Sequence, residues 1–137
     1  MPKTSREQME AFFQKEFSQM DIILEDFGID SLTIRHKIGE NNLRPGGTVS
    51  GPTMMSLADC AIYVAILREI GLVALAVTTS LNINFLTKPP AGRDLLGKCK
   101  LLKLGKSLAI GEVSIFSEGT DNPVAHAVGT YSIPRSK

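Results

Sequence analysis

Length, composition and charge place the chain among ordinary globular proteins. Its 137 residues are 43% apolar and 21% charged, so we predict a single domain over residues 1–137. A net charge of +1 removes the strongest general argument for a nucleic-acid partner. The charge is uneven, because residues 88–106 carry six Lys and Arg side chains against one acid. This basic segment is either a solvated strand face or a seat for a polyanionic small molecule.

The cysteines and the N-terminal residues indicate the cellular compartment in which the protein is expected. Cys60 and Cys99 are isolated, and no histidine is spaced to complete a zinc site, so we expect neither a disulfide framework nor a metal. Residues 1–10 are polar and lack the apolar core of a signal peptide. Charges interrupt the long apolar stretch too soon for a membrane span. The sequence therefore predicts a soluble, cytoplasmic protein.

The first half of the chain predicts a helix, a strand and a loop. Ser5 with Gln8 three residues later is a capping-box signal, and apolar residues then recur at helical spacing as far as Met20. We predict an amphipathic helix over about residues 5–20. Alternation over 32–38 predicts a strand, and the turn residues of 40–47 predict a loop.

A second, longer helix is predicted over about residues 52–70. Pro52 suits the first helical position, so Ser50 or Gly51 is the expected cap, and Gly71 ends the helix. Its residues are apolar on nearly every side, which is typical of a buried helix.

The remainder of the chain reads as strands. Apolar and polar residues alternate from Val77 to Phe85, and three further strands are predicted near 93–104, 107–117 and 123–133. Short turns join the last three. The sequence predicts an α+β fold in which an antiparallel sheet wraps around one central apolar helix.

Asp59 is the one charged residue between Pro52 and Leu67. An ionised carboxylate is costly to bury unpaired, so Asp59 is either bound to a neighbouring donor, exposed to a wet groove, or functional. The same helix begins in a glycine-rich loop whose free N–H groups and positive dipole end would hold a carbonyl oxygen or an anion. An acid/base and an oxyanion site are two parts of an acyl-transfer centre.

Three stretches in this order resemble a known family: "SGPTMMSLADCA", "TTSLNINFLTKPPAG" and "LLKLGKSLAIGEVSIF". Over roughly residues 22–133 the chain is similar to the hotdog-fold acyl-CoA thioesterases of the phenylacetate-pathway (PaaI-like) type. The resemblance implies a hotdog fold and hydrolysis of an acyl- or aryl-acyl-CoA to free acid and coenzyme A. Coenzyme A is then part of the substrate, and no separate cofactor is expected.

The resemblance also assigns site residues. Asp59 is the implied general base or nucleophile, the Gly51 N–H polarises the thioester carbonyl, and Thr78 orients water. The implied substrate contacts are Ser50, Phe85, Lys103, Gly105, Lys106 and Ser107. The chain reads Ser50-Gly51-Pro52 where the family has His-Gly-Gly, and Arg44 stands at the place of a carbonyl-polarising Asn. Pro52 has no N–H to offer as a second donor.

Two alternatives belong to other functional classes. A non-catalytic acyl-CoA binding or sensing protein of the same fold would account for Ser50, Pro52 and Arg44. A structural subunit without a ligand would leave Asp59 unexplained. His36 and His126 lie on predicted strands and are interpreted as structural.

The spacing of Gly51 and Asp59 predicts self-association. Eight residues of helix separate them by ~12 Å along the axis, whereas both groups must reach one thioester. One helix therefore cannot supply both, but two chains related by a two-fold axis can. We predict an obligate homodimer, alone or as a dimer of dimers, with active sites shared between chains, which is also what the resemblance implies.

Overall fold

The computed structural model describes residues 4–28, 31–72 and 76–134. Within these ranges the chain forms two α-helices, a short 3-10 helix and six β-strands. In chain order they are α1 (Arg6–Glu16), β1 (Ile22–Phe27), β2 (Leu32–His36), the 3-10 helix (Glu40–Asn42), α2 (Gly51–Ile70), β3 (Val77–Phe85), β4 (Leu95–Leu104), β5 (Leu108–Ser117) and β6 (Ala125–Ser132). The predicted α+β class is confirmed.

Helix α1 begins where its capping box predicts. The Ser5 side chain accepts a hydrogen bond from the Gln8 N–H at 3.2 Å, and Gln8 Oε1 accepts one from the Ser5 N–H at 2.9 Å. The predicted end at residue 20 is wrong, because α1 ends at Glu16. Phe17 has left helical geometry (φ −121°), and its ring packs edge-on against Phe13 at 6.0 Å. Residues 17–20 form a turn that delivers the chain into β1.

Strand β1 is not predicted as a separate element. Its sequence, IILEDF, does not alternate, and its pairing with β2 shifts register between Leu24 and Asp26. Such an irregularity hides the period of two by which a strand is recognised in sequence. The other five strands begin and end within two residues of their predicted limits.

Helix α2 is the centre of the fold, as predicted. Ser50 is its N-cap and Gly71, with a φ of +99°, is its C-cap. Twelve of its twenty residues are buried, on nearly all sides of the helix. The helix approaches the sheet closely at Gly129, where an added Cβ would lie 2.7 Å from Cδ1 of Ile62. Neither helix in the described ranges has the length and apolarity needed to span a membrane.

One antiparallel sheet curves around α2 in the order β1-β2-β4-β5-β6-β3. The residue pairs between neighbouring strands show which elements lie at the same end of the sheet. Thr78 lies opposite Tyr131, which lies opposite Ala109, and Ala109 lies opposite Leu104. The β4–β5 hairpin is therefore at the Thr78 end of the sheet. Phe85, at the other end of β3, pairs with Ala125.

Candidate active site

Asp59 is half-buried on α2, and its carboxylate is held by two hydroxyl groups. The Thr78 hydroxyl donates to Asp59 Oδ1 at 2.7 Å, and the Tyr131 hydroxyl donates to the same oxygen at 2.7 Å. Tyr131 also lies within hydrogen-bond distance, 3.0 Å, of the Asp59 backbone carbonyl. The acid is thus paired with donors, which offsets much of the cost of its partial burial.

Two strands deliver these hydroxyls to the helix. Thr78 and Tyr131 lie opposite each other in the β3–β6 pair, and the register shifts between Thr78 and Ser80. A shift of this kind interrupts the alternation of side chains and re-aims the residue beside it. Thr78 therefore reaches α2 from the edge strand while the neighbouring buried strand supplies Tyr131.

The three residues line a cavity of about 430 Å³ whose remaining wall is largely apolar and aromatic. The other lining residues are Phe17, Met20, Ser56, Cys60, Tyr63, Ala76 and Val77. Asp59 Oδ2 has no hydrogen-bond partner in the part of the chain that the structure describes. The cavity combines one available carboxylate oxygen with a wall that suits an apolar or aromatic group.

Burial keeps two other groups in this cavity neutral. It raises the pKa of Tyr131 above its usual range, and the Asp59 carboxylate that accepts its hydrogen bond raises that pKa further. Tyr131 therefore stays protonated at physiological pH, and its hydroxyl can donate a hydrogen bond. Burial, with the nearby Asp59 charge, also raises the pKa of the Cys60 thiol to about 12. A protonated thiol is a poor nucleophile, so Asp59 is the better-suited reactive group of this cavity.

The N-terminus of α2 retains one free donor. The Thr53 N–H is bound by the Ser50 hydroxyl and the Met54 N–H by the Ser50 carbonyl, each at 3.3 Å. Pro52 has no N–H. In the first turn this leaves the Gly51 N–H, which has no acceptor among the described residues.

Gly51 lies in a second cavity, of about 410 Å³, together with Arg44 and Phe85. An added Cβ on Gly51 would stand 3.3 Å from the Phe85 ring, so the ring covers the helix start. No residue lines both this cavity and the Asp59 cavity, as far as the described ranges show. The structure thus places Asp59 beside Thr78 in one cavity. It places Gly51 with Arg44 and Phe85 in the other, so that within one chain Asp59 and Gly51 do not share a cavity.

The predicted coenzyme A contacts are also divided. Lys103, Gly105, Lys106 and Ser107 lie in or beside the β4–β5 hairpin, at the Thr78 end of the sheet. Phe85 is seven residues along β3 from Thr78, or ~23 Å at ~3.3 Å per residue. Ser50 Oγ is occupied as the helix cap and lies 2.8 Å from the Thr53 hydroxyl. A substrate contact by Ser50 stays a prediction.

Both histidines have partners away from Asp59. His36 is buried, and its Nδ1 donates to the Lys37 carbonyl at 2.8 Å. His126 Nε2 lies 3.0 Å from Glu112 Oε1 in a cross-strand pair. Neither lines the Asp59 cavity, which supports their interpretation as structural residues.

Tyr131 is the site residue that reasoning from the sequence missed. It occupies a buried position of a correctly predicted strand, where a tyrosine hydroxyl needs a hydrogen-bond partner. The need of a buried tyrosine hydroxyl for a partner was the sequence signal that could have indicated a role for Tyr131. The partner itself was not foreseeable, because the pairing of β6 with β3 and the position of α2 depend on tertiary structure.

Comparisons with known proteins identify the family and the fold. A family model described as the thioesterase superfamily matches residues 46–124. No curated protein sequence matches the chain. The chain is 42% identical to a candidate thioesterase from a Silicibacter species, with a TM-score of 0.89 over 98% of this chain and 94% of that one.

Two more distant structures share the fold. A thioesterase from Haemophilus influenzae is 18% identical, with a TM-score of 0.84 over 97% of this chain and 92% of that chain. A point mutant of the phenylacetic acid degradation protein PaaI from Thermus thermophilus is 21% identical, with a TM-score of 0.74 over 90% and 99% of the two chains. The predicted hotdog fold is confirmed. With the family match covering more than half of its residues, the chain belongs to the thioesterase superfamily, whose chemistry is the hydrolysis of thioesters.

Proposed function

We propose that this protein hydrolyses an acyl-CoA or aryl-acyl-CoA to the free acid and coenzyme A. The observation that carries the proposal is the Asp59 carboxylate, oriented by Thr78 and Tyr131 in a cavity with an apolar and aromatic wall. The wall would receive the acyl or aryl group, and the carboxylate would act at the thioester carbonyl.

The chemistry follows from the available groups. As a general base, Asp59 takes a proton from a water that attacks the carbonyl carbon, the C–S bond breaks, and the thiolate of coenzyme A leaves and is protonated. As a nucleophile, Asp59 attacks the same carbon and forms a mixed anhydride that water then hydrolyses. In both routes the Gly51 N–H would stabilise the oxyanion, and Arg44 would add positive charge near it.

The separate cavities favour a homodimer with shared sites. Strand β3 is an edge of the sheet and carries exposed apolar side chains, with Val77 56%, Phe85 49% and, just beyond it, Leu86 56% exposed. Antiparallel pairing of two β3 edges about a two-fold axis would set the Phe85 end of one chain against the Val77 end of the other. Gly51 of one chain would then approach Asp59 of its partner. A dimer of dimers and a cytoplasmic location remain predictions from the sequence.

A turnover assay over a panel of acyl- and aryl-acyl-CoAs tests the proposed function. Release of coenzyme A can be followed with a thiol reagent, because Cys60 and Cys99 are both buried and will contribute little background. We expect release that depends on Asp59. Binding of acyl-CoA without any release of coenzyme A would overturn the hydrolase proposal and favour a non-catalytic acyl-CoA binding protein. The absence of a backbone N–H at Pro52 would then explain the lack of turnover.

The hairpin lysines are proposed to hold the phosphates of coenzyme A. Lys103 and Lys106 are exposed at the Asp59 end of the sheet. Changing both to Ala should raise KM for acyl-CoA far more than it lowers kcat, and should weaken the salt dependence of KM, because screened charge pairs are lost.

The matched control changes two other exposed lysines, Lys15 on α1 and Lys37 just after β2. It removes the same charge away from the hairpin. An unchanged KM across ionic strengths in the hairpin variant, or an equal rise in the control, would show that the hairpin lysines are ordinary solvated residues.

A further inference from the structure

We propose that Tyr131 is a positioning residue for Asp59 and that, with Thr78, it occupies Oδ1 so that Oδ2 is the oxygen that reacts. This inference rests on the proposed thioesterase function, to which it adds a positioning residue and the carboxylate oxygen that reacts. It concerns contacts within one chain, and so does not depend on the proposed dimer.

The geometry separates the two carboxylate oxygens. Both hydroxyl donors, from Thr78 and Tyr131, lie 2.7 Å from Oδ1. A carboxylate oxygen has about two lone-pair sites, so two donors fill Oδ1. Hydrogen bonds of this length to an ionised acceptor are among the strong ones. Oδ2 is left as the oxygen free to accept a proton or to attack carbon.

Tyr131 is better suited than Thr78 to fix the carboxylate. Its hydroxyl lies between Oδ1 and the backbone carbonyl of Asp59, at 2.7 and 3.0 Å, so it contacts the side chain and the main chain of one residue. Tyr131 is 3% exposed, and its ring stacks on Tyr63 at 5.8 Å with an interplanar angle of 21°. Thr78 lies on the exposed edge strand, where its side chain has fewer neighbours.

A purely structural role for Tyr131 would require only one hydrogen-bond acceptor for its hydroxyl. The Asp59 carbonyl alone would satisfy a buried tyrosine hydroxyl. Thr4 is an example, since its buried hydroxyl donates to the Leu67 carbonyl of α2 at 2.7 Å and has no carboxylate partner among the described residues. The additional contact of Tyr131 with Oδ1 is therefore the feature that points to the acid.

The first test compares Tyr131→Phe with the control Thr4→Val, since each removes a buried hydroxyl bound to a backbone carbonyl of α2. Tyr131→Phe should lower kcat about tenfold to a hundredfold, the range expected for losing a hydrogen bond to a charged group, and change KM little. Thr4→Val should lose thermal stability but keep the wild-type kcat per folded molecule.

The split between kcat and KM separates positioning from structure, because a misplaced carboxylate lowers kcat per folded molecule whereas a purely structural defect lowers the folded fraction. Tyr131, being held protonated, should contribute no alkaline limb to the pH profile of kcat/KM in the wild type. A folded Tyr131→Phe variant with the wild-type kcat would overturn the proposal.

A second readout does not require turnover. The chain has two tyrosines, so Tyr63→Phe leaves Tyr131 as the only one, and ultraviolet absorbance then reports its ionisation. Adding Asp59→Asn should lower the pH at which Tyr131 ionises, because the carboxylate that raises its pKa is gone and burial remains. An unchanged ionisation midpoint would overturn the coupling. If the wild type proved inactive on every thioester, this measurement would still decide the Tyr131 contact separately from the function.

Discussion

Replacing Asp59 by Asn should lower turnover at least about a hundredfold and leave the protein folded. Asparagine has nearly the same shape, and its carbonyl oxygen can still accept from Thr78 and Tyr131, so α2 and β6 should remain in contact. An amide cannot take up a proton at neutral pH and is a poor nucleophile. Both forms of the proposed mechanism therefore predict a large loss of kcat, measured by thiol release.

The control for this variant is Asp121→Asn, which removes an acid from an exposed turn. It should turn over at the wild-type rate. Circular dichroism and a thermal melt establish that both variants are folded. Retained activity in folded Asp59→Asn would remove Asp59 from the mechanism and, with it, the reason for assigning the 430 Å³ cavity to the reaction.

Mixing two inactive variants should restore about a quarter of the wild-type sites. One chain carries Asp59→Asn, and the other carries Gly51→Val, whose side chain would crowd the Phe85 ring that lies 3.3 Å from an added Cβ. Random pairing makes half of the dimers mixed, and each mixed dimer has one site with both groups intact. The expected recovery follows from that count if each site uses Gly51 and Asp59 of different chains.

Two controls make the mixing experiment decisive. Each variant alone should show only its residual activity, and mass spectrometry should show that the chains have exchanged. A fully active wild-type monomer in sedimentation, or no recovery after verified exchange, would exclude the shared site. The separation of the two cavities would then need another explanation, such as a movement within one chain.

Local patterns were sufficient for most of the helices and strands. The capping box at Ser5, the Ser50 cap with Pro52, and Gly71 at the end of α2 are signals carried by neighbouring residues, and the structure has all of them. Alternation located β3 to β6 for the same reason. The errors fall where local signals are weak: α1 ends early at a turn, and β1 carries a register shift that hides its period.

The candidate site was also predicted only in part from the sequence. A lone acid on an apolar helix makes Asp59 a candidate from sequence, because an ionised carboxylate is costly to bury unpaired. The helix rise also predicts that Gly51 lies too far from Asp59 to share a site in one chain, and the structure places them in separate cavities. Which hydroxyls bind the carboxylate was only partly foreseeable, since Thr78 was identified through a resemblance and Tyr131 was not identified.

The sequence by itself thus determined helix α2, most of the strands, the candidate acid Asp59 and the helix N-terminus that lies apart from it, because each depends on residues close together in the chain. Only the tertiary structure decided what surrounds that acid. Tyr131 is 72 residues from Asp59, and their contact exists because β6 pairs with β3 and both lie against α2. The order of strands in a sheet is set by long-range packing, and no local pattern of residues encodes it.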